Sequence, residues 1–90
     1  MKTRELFSSN LKALRSSKKQ SQQYVADALG LKRSTYSSYE SGASEPELET
    51  LVLISCYFKV TLDTLLRRAV FLSEHNEVFI DREMTPAKAL

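Results

Sequence analysis

Cysteine, glycine and proline are all scarce in this 90-residue, 10.2 kDa chain, and each scarcity removes a class of structure. With Cys56 as the only cysteine, neither an intramolecular disulfide nor a thiolate metal cluster can form within one chain. A reducing compartment suits such a sequence, so a cytoplasmic location is expected. Two glycines and two prolines supply too few turn residues for a many-stranded β protein, which favours helices. Long apolar runs are missing as well. The stretch from Leu51 to Val60 is interrupted by Ser55 and Lys59, well short of the roughly 20 residues that span a bilayer. The opening Met1-Lys2-Thr3-Arg4-Glu5-Leu6-Phe7 lacks the apolar stretch of about 7 to 15 residues found in a secretory signal. His75 is the only histidine and has no cysteine or second histidine near it to complete a metal site, so it reads as solvated. Cys56 lies in an apolar helical stretch and reads as a small buried hydrophobe without a base partner. No glycine-rich phosphate loop or paired-carboxylate constellation is present. No enzymatic activity, metal or cofactor is expected.

What remains is an ordinary globular composition, 42% hydrophobic and 27% charged, in a length that supports one small core. The net charge of +2 conceals a polarised chain. Residues 1–42 hold eight basic and three acidic side chains, whereas residues 43–90 hold five basic and eight acidic ones. A basic half on a small helical domain is what a phosphate backbone attracts, although an unevenly charged solvated surface would read the same way.

Helical periodicity accounts for most of the chain. From Arg4 to Ser17, Phe7, Leu11 and Leu14 recur at i, i+4 and i+7 beside Leu6, with Thr3 as the expected cap. Ser21 caps a short helix from Gln22 to Leu29 that buries Val25, Ala26 and Leu29 and stops at Gly30. A third helix runs from about Arg33 to Ser41, with Tyr36 and Tyr39 inward and Gly42 ending it. Two short helices joined by a tight glycine turn form a helix-turn-helix. Pro46 is placed in the first turn of a fourth helix, which reaches about Phe58 with Leu48, Leu51, Ile54 or Ser55, and Phe58 on its inner stripe. Thr61 caps a fifth, in which Leu62, Leu65, Leu66 and Ala69 form the apolar face. The expected fold is all-α, with five helices in residues 1–70 and a tail in residues 71–90.

Within that tail, Glu77-Val78-Phe79-Ile80-Asp81 has the composition of a short strand. A lone strand in a five-helix domain needs a partner chain, a strand from a further domain, or a place across the helices. Thr85 to Leu90 reads as a frayed end.

Four segments carry a resemblance. They are Leu11 to Arg15, Ser21 to Leu31, Ser34 to Gly42 and Pro46 to Leu51. Together they give the ordered patterns S-Q-x-x-x-A-x-x-x-G, S-x-x-E-x-G and P-x-L-E-T-L, followed by V-x-L-D-x-L-L. Over residues 5 to about 68 the chain resembles the lambda repressor and Cro helix-turn-helix family. The resemblance implies a five-helix domain that binds double-stranded DNA, usually as a dimer on a two-fold operator.

Carried over position by position, the resemblance places Arg33, Ser34, Ser37 and Ser38 against base edges in the major groove. Arg33 is the strongest reader, since a guanidinium can donate two hydrogen bonds to guanine; the plainer role is a phosphate contact. The three serines read bases weakly and allow close approach. Gln22 matches a glutamine that holds a phosphate at the start of the motif, and Lys18, Lys19 and Lys32 are further phosphate candidates. Arg15 and Glu40 match a structural pair that ties the first helix to the recognition helix. Two departures stand out. Lys32 replaces a capping serine or threonine, and the loop Ala43-Ser44-Glu45 lacks the basic residues common in relatives.

The resemblance implies a dimeric transcriptional regulator, and a repressor is the expected role. The expected interface comprises Leu66, Val70, Phe71, Val78, Phe79 and Ile80. Two other readings stay open: an antitoxin that represses its own operon while its tail holds a toxin protein, and a helical adaptor that has kept the fold without DNA affinity.

Overall fold

Leu6, Phe7, Leu11 and Leu14 are all buried along one side of α1 (Thr3–Ser17), the longest element and the one around which the others assemble. The structure is a computed structural model, which describes residues 2–80. It continues through α2 (Gln22–Leu29), α3 (Arg33–Ser41), α4 (Leu48–Phe58) and α5 (Leu62–Arg67) to a hairpin of β1 (Val70–Leu72) and β2 (Val78–Ile80). The core joins the α1 stripe to Val25 and Ala26 of α2, Tyr36 and Tyr39 of α3, Ile54 and Phe58 of α4, Leu65 of α5 and Val70 of β1. The all-α expectation therefore holds for the helical body, with a small antiparallel ribbon added after it.

Local chemistry sets the helix ends. Ser21 Oγ accepts the Tyr24 N–H at 3.0 Å and Thr61 Oγ1 accepts the Thr64 N–H at 3.0 Å, so both caps lie where the sequence places them. Gly42 closes α3 at φ 82, a left-handed conformation that costs a side-chain-bearing residue strain. At α1 the expectation is corrected. Thr3 is the first helical residue, and Lys2 takes the cap position with its N–H donating to the Glu5 carboxylate at 3.1 Å. Pro46 also lies outside its helix. Glu47 is the cap residue, its carbonyl accepting the Leu51 N–H at 3.0 Å, and α4 starts at Leu48. Leu48, at that exposed end, is 80% accessible and contributes nothing to the core. Cys56, expected to be buried, is exposed on the outer side of α4.

The fifth helix ends earlier than its apolar stripe suggests, and Asn10 is the reason. This side chain is fully buried on α1. Its Nδ2 donates toward the carbonyls of Arg68 at 2.6 Å, Leu65 at 2.9 Å and Thr64 at 3.4 Å, while its Oδ1 accepts the Val70 N–H at 2.9 Å. The amide closes the end of α5 and draws the chain into extended backbone at Arg68 (φ −113, ψ 143). β1 then pairs with β2 in antiparallel register, Val70 opposite Ile80, Phe71 opposite Phe79 and Leu72 opposite Val78. The Val78 run is thus not a lone strand, because its partner lies within the same chain. Thr85 to Leu90 lies outside the described residues.

Candidate nucleic-acid interface

The helix-turn-helix is fixed from its inner side by one carboxylate. Glu40 sits on the last turn of α3, and donors from three helices converge on it. Arg15 Nε donates to Oε2 at 2.6 Å and Arg15 Nη2 to Oε1 at 3.1 Å. Gln22 Nε2 reaches Oε1 at 3.1 Å from the start of α2, and the Tyr36 hydroxyl reaches Oε2 at 2.6 Å from one turn earlier on α3. Burial alone would raise the Glu40 carboxyl, but the hydrogen bonds from Arg15, Tyr36 and Gln22 outweigh it and hold the group below its ordinary range. The Arg15 guanidinium is correspondingly held above its ordinary value, chiefly by its hydrogen bond to Glu40. Burial, with the neighbouring carboxylate, pushes the Tyr36 hydroxyl up so that it stays a donor. The expected pairing of Arg15 with Glu40 is present, and the Tyr36 hydroxyl is a further partner beyond that expectation. The spacing of four between Tyr36 and Glu40 on one helix was its signal.

Both tyrosines of α3 are core residues, Tyr36 fully enclosed and Tyr39 nearly so. Ser8 Oγ of α1 lies 2.7 Å from the Tyr39 carbonyl and makes a second tie between α1 and α3. With its inner side held in this way, α3 presents Arg33 and Ser34 exposed at its N-terminal turn and Ser37 half-exposed one turn on. Lys32 precedes them, exposed, in the cap position and without a side-chain capping bond. Ser38 is placed differently. Its hydroxyl donates to the Thr35 carbonyl at 2.7 Å and shares a hydrogen bond with Ser44, so it braces the loop after α3. In the same loop Glu45 pairs with Arg4 at 2.8 Å, which masks part of the loop's acidity.

Lys18 and Lys19 stand exposed on the α1–α2 turn. Gln22, half-buried, spends one amide hydrogen on Glu40 and retains a second. The first-turn N–H groups of a helix lack partners within it and face an anion readily. Lys18, Lys19, Gln22 and the exposed start of α3 belong to the basic half of the chain, so their summed field suits a phosphate backbone.

The residues expected at a dimer interface divide. Val70 is corrected, because it is 6% exposed within the chain's own core and has its N–H on Asn10. Leu66 is half-buried against that core. Phe71 and Phe79, paired across the hairpin, are 53% and 54% exposed, and Val78 and Ile80 are also open. Among the described residues no group of histidine, cysteine, aspartate and glutamate is arranged to hold a metal, and no helix is long and apolar enough to cross a membrane.

Residues 11–65 match the helix-turn-helix family profile. The chain is 44% identical over 82 residues to the uncharacterized HTH-type transcriptional regulator YqaE of Bacillus subtilis (strain 168), covering 87% of this chain and 71% of that protein. It is 48% identical over 58 residues to the HTH-type transcriptional regulator AnsR of the same organism, covering 64% of this chain and half of that protein. Identity to the cryptic phage CTXphi transcriptional repressor RstR of Vibrio cholerae is 33% over 61 residues, 68% of this chain and 55% of that protein. The HTH-type transcriptional activator BcrR of Enterococcus faecalis shows 40% over 60 residues, 67% of this chain and 29% of that protein. No solved structure matches significantly. The profile match and the braced helix pair agree, and the chain belongs to the lambda repressor/Cro-type helix-turn-helix family, as a DNA-binding transcriptional regulator and not an enzyme.

Proposed function

We propose that two copies of the chain bind an inverted-repeat operator, inserting α3 into successive major grooves about 34 Å apart and occluding polymerase as a cytoplasmic repressor. The observation that carries this reading is the division of α3 into an inner side locked on Glu40 and an outer side that begins with exposed Arg33. In this reading Arg33 reads a base edge with Ser34 and Ser37 beside it, while Gln22, Lys18, Lys19 and Lys32 meet phosphates. Ser38 contributes by fixing the loop. Leu66, Phe71, Val78, Phe79 and Ile80 form the pairing surface, and Val70 supports it from beneath.

Selection of a random duplex library with the purified chain tests the proposal. Enrichment of an inverted repeat with half-sites one helical turn apart, bound less tightly as salt rises, supports it; no enrichment and no low-salt binding sink it. The relatives' names include one repressor and one activator, so transcription from a promoter carrying the selected site decides the sign. A second reading, an antitoxin whose hairpin holds a toxin, is favoured by the exposed Phe71 and Phe79 pair. Truncation after Ser73 separates the two: loss of the dimer supports self-pairing, whereas a persisting dimer frees the hairpin for another protein.

A further inference from the structure

Tyr57 lies on α4, outside the helix pair assigned to the groove, yet two contacts tie it to the turn that leads into α2. Its hydroxyl donates to Gln20 Oε1 at 2.6 Å, and the Lys18 Nζ stands over its ring, 5.2 Å from the centroid. The Gln20 backbone is held from the other side, where Arg15 Nη1 donates to its carbonyl at 2.8 Å. Between these two anchored residues the chain passes through Lys19 in a left-handed conformation, φ 55, which an unsupported lysine disfavours. Tyr57 is itself braced by Phe58, whose ring meets it edge-on at 4.9 Å between centroids.

We propose that Tyr57 is a positioning residue for DNA-backbone binding, confining the Lys18 ammonium and the α1–α2 turn where they meet a phosphate. The inference rests on the DNA-binding reading above and extends it to a residue that touches no DNA. A lysine loses rotamer freedom when a phosphate localises it. A ring that confines the ammonium beforehand removes part of that loss, and a cation–π contact leaves the full charge available. Gln20 acts in parallel by keeping the backbone beside Lys18 from shifting.

The test uses the full chain, a library-selected duplex and binding measured across a salt series, with the melting temperature of every variant recorded. Tyr57→Leu is expected to weaken binding roughly two- to fivefold at low salt. It should also flatten the salt dependence by up to about one unit of slope, as Lys18→Gln does. Tyr57→Phe, which keeps the ring, should restore the slope and most of the affinity. Wild-type affinity and slope in Tyr57→Leu overturn the inference. So does weakened binding with an unchanged slope, the signature of a purely structural role. Lys18→Gln is a surface change that serves even where Tyr57→Leu does not fold, and an unchanged slope there overturns the inference too. A wild-type chain that binds no duplex instead sinks the DNA-binding reading, so the two failures are distinct.

Discussion

Arg15 and Glu40 face each other between α1 and α3 in a two-point contact whose side chains are only 16% and 3% exposed. That burial decides what the pair contributes. An ion pair in water is worth under about 1 kcal/mol, whereas removing one member of a buried pair leaves the other charge out of water without its counterion and costs about 3 to 5 kcal/mol.

Arg15→Ala should therefore lower stability by about 3 kcal/mol, which for a chain of this size is a fall of roughly 15 °C in melting temperature. Replacing both members with apolar residues of similar volume should cost less than the single change. Thermal melts followed by circular dichroism check both, and an unaltered melting temperature in Arg15→Ala would contradict the buried pairing.

The depressed Glu40 carboxyl gives stability a pH dependence of definite sign. A carboxyl whose folded value lies below its ordinary 4.5 binds its proton more readily in the unfolded chain, so its contribution is full above that value and is lost as pH falls through the folded one. Urea midpoints should change little on this account from pH 7 to 5 and decline below about pH 4.5. In Glu40→Gln the acid-side decline should be shallower, from a lower starting stability. An identical acid limb in both proteins would remove Glu40 as the source.

Asn10 carries a second buried network. Asn10→Ala leaves the Val70 N–H and the carbonyls at the end of α5 without their partner, a loss of about 2 to 4 kcal/mol. Hydrogen exchange separates the local effect from the global one. The Val70 amide should lose protection more than the Leu11 amide does, because the hairpin is released before the helical body opens.

At the outer side of α3, Arg33→Ala should leave the melting temperature within a degree or two, since the side chain is exposed and lies away from the core. Repeated library selection with the variant should show relaxed preference at one position of each half-site, a loss of about 1 to 3 kcal/mol of discrimination. Uniformly weaker binding with unchanged preference would reassign Arg33 to a phosphate.

The parts of this chain that were legible in its sequence are those governed by neighbours in the chain. The bounds Gln22–Leu29 and Arg33–Ser41 follow from Ser21, Gly30 and Gly42, which act within one turn of where they stand. The Arg15 and Glu40 pair was reachable only through family resemblance, because nothing local joins residues 25 positions apart. Asn10 is one polar residue among several on α1, and its type alone does not mark it as buried. Yet it lies four residues from both Leu6 and Leu14, and that places it on the buried stripe. The hairpin was hidden for a related reason. Val70–Leu72 is a strand through its pairing with Val78–Ile80, and the Asn10 amide that holds the Val70 N–H lies sixty residues away, so no local pattern announces β1. Cys56 and Leu48 are exposed although both are apolar, because apolar character does not say which side of a helix meets the core.

The division of labour along α3 carries an evolutionary consequence. Tyr36, Tyr39 and Glu40 bind the helix to its scaffold, while Arg33, Ser34 and Ser37 face outward, and the two sets share no residue. Changes at the outward set leave the buried contacts intact, so, on the proposed reading of α3 as the base-reading helix, a lineage can drift to new target sequences by single steps without passing through unfolded intermediates. The inward set has no such freedom, because Tyr36 and Tyr39 fill the core and the Glu40 carboxylate joins three helices at once.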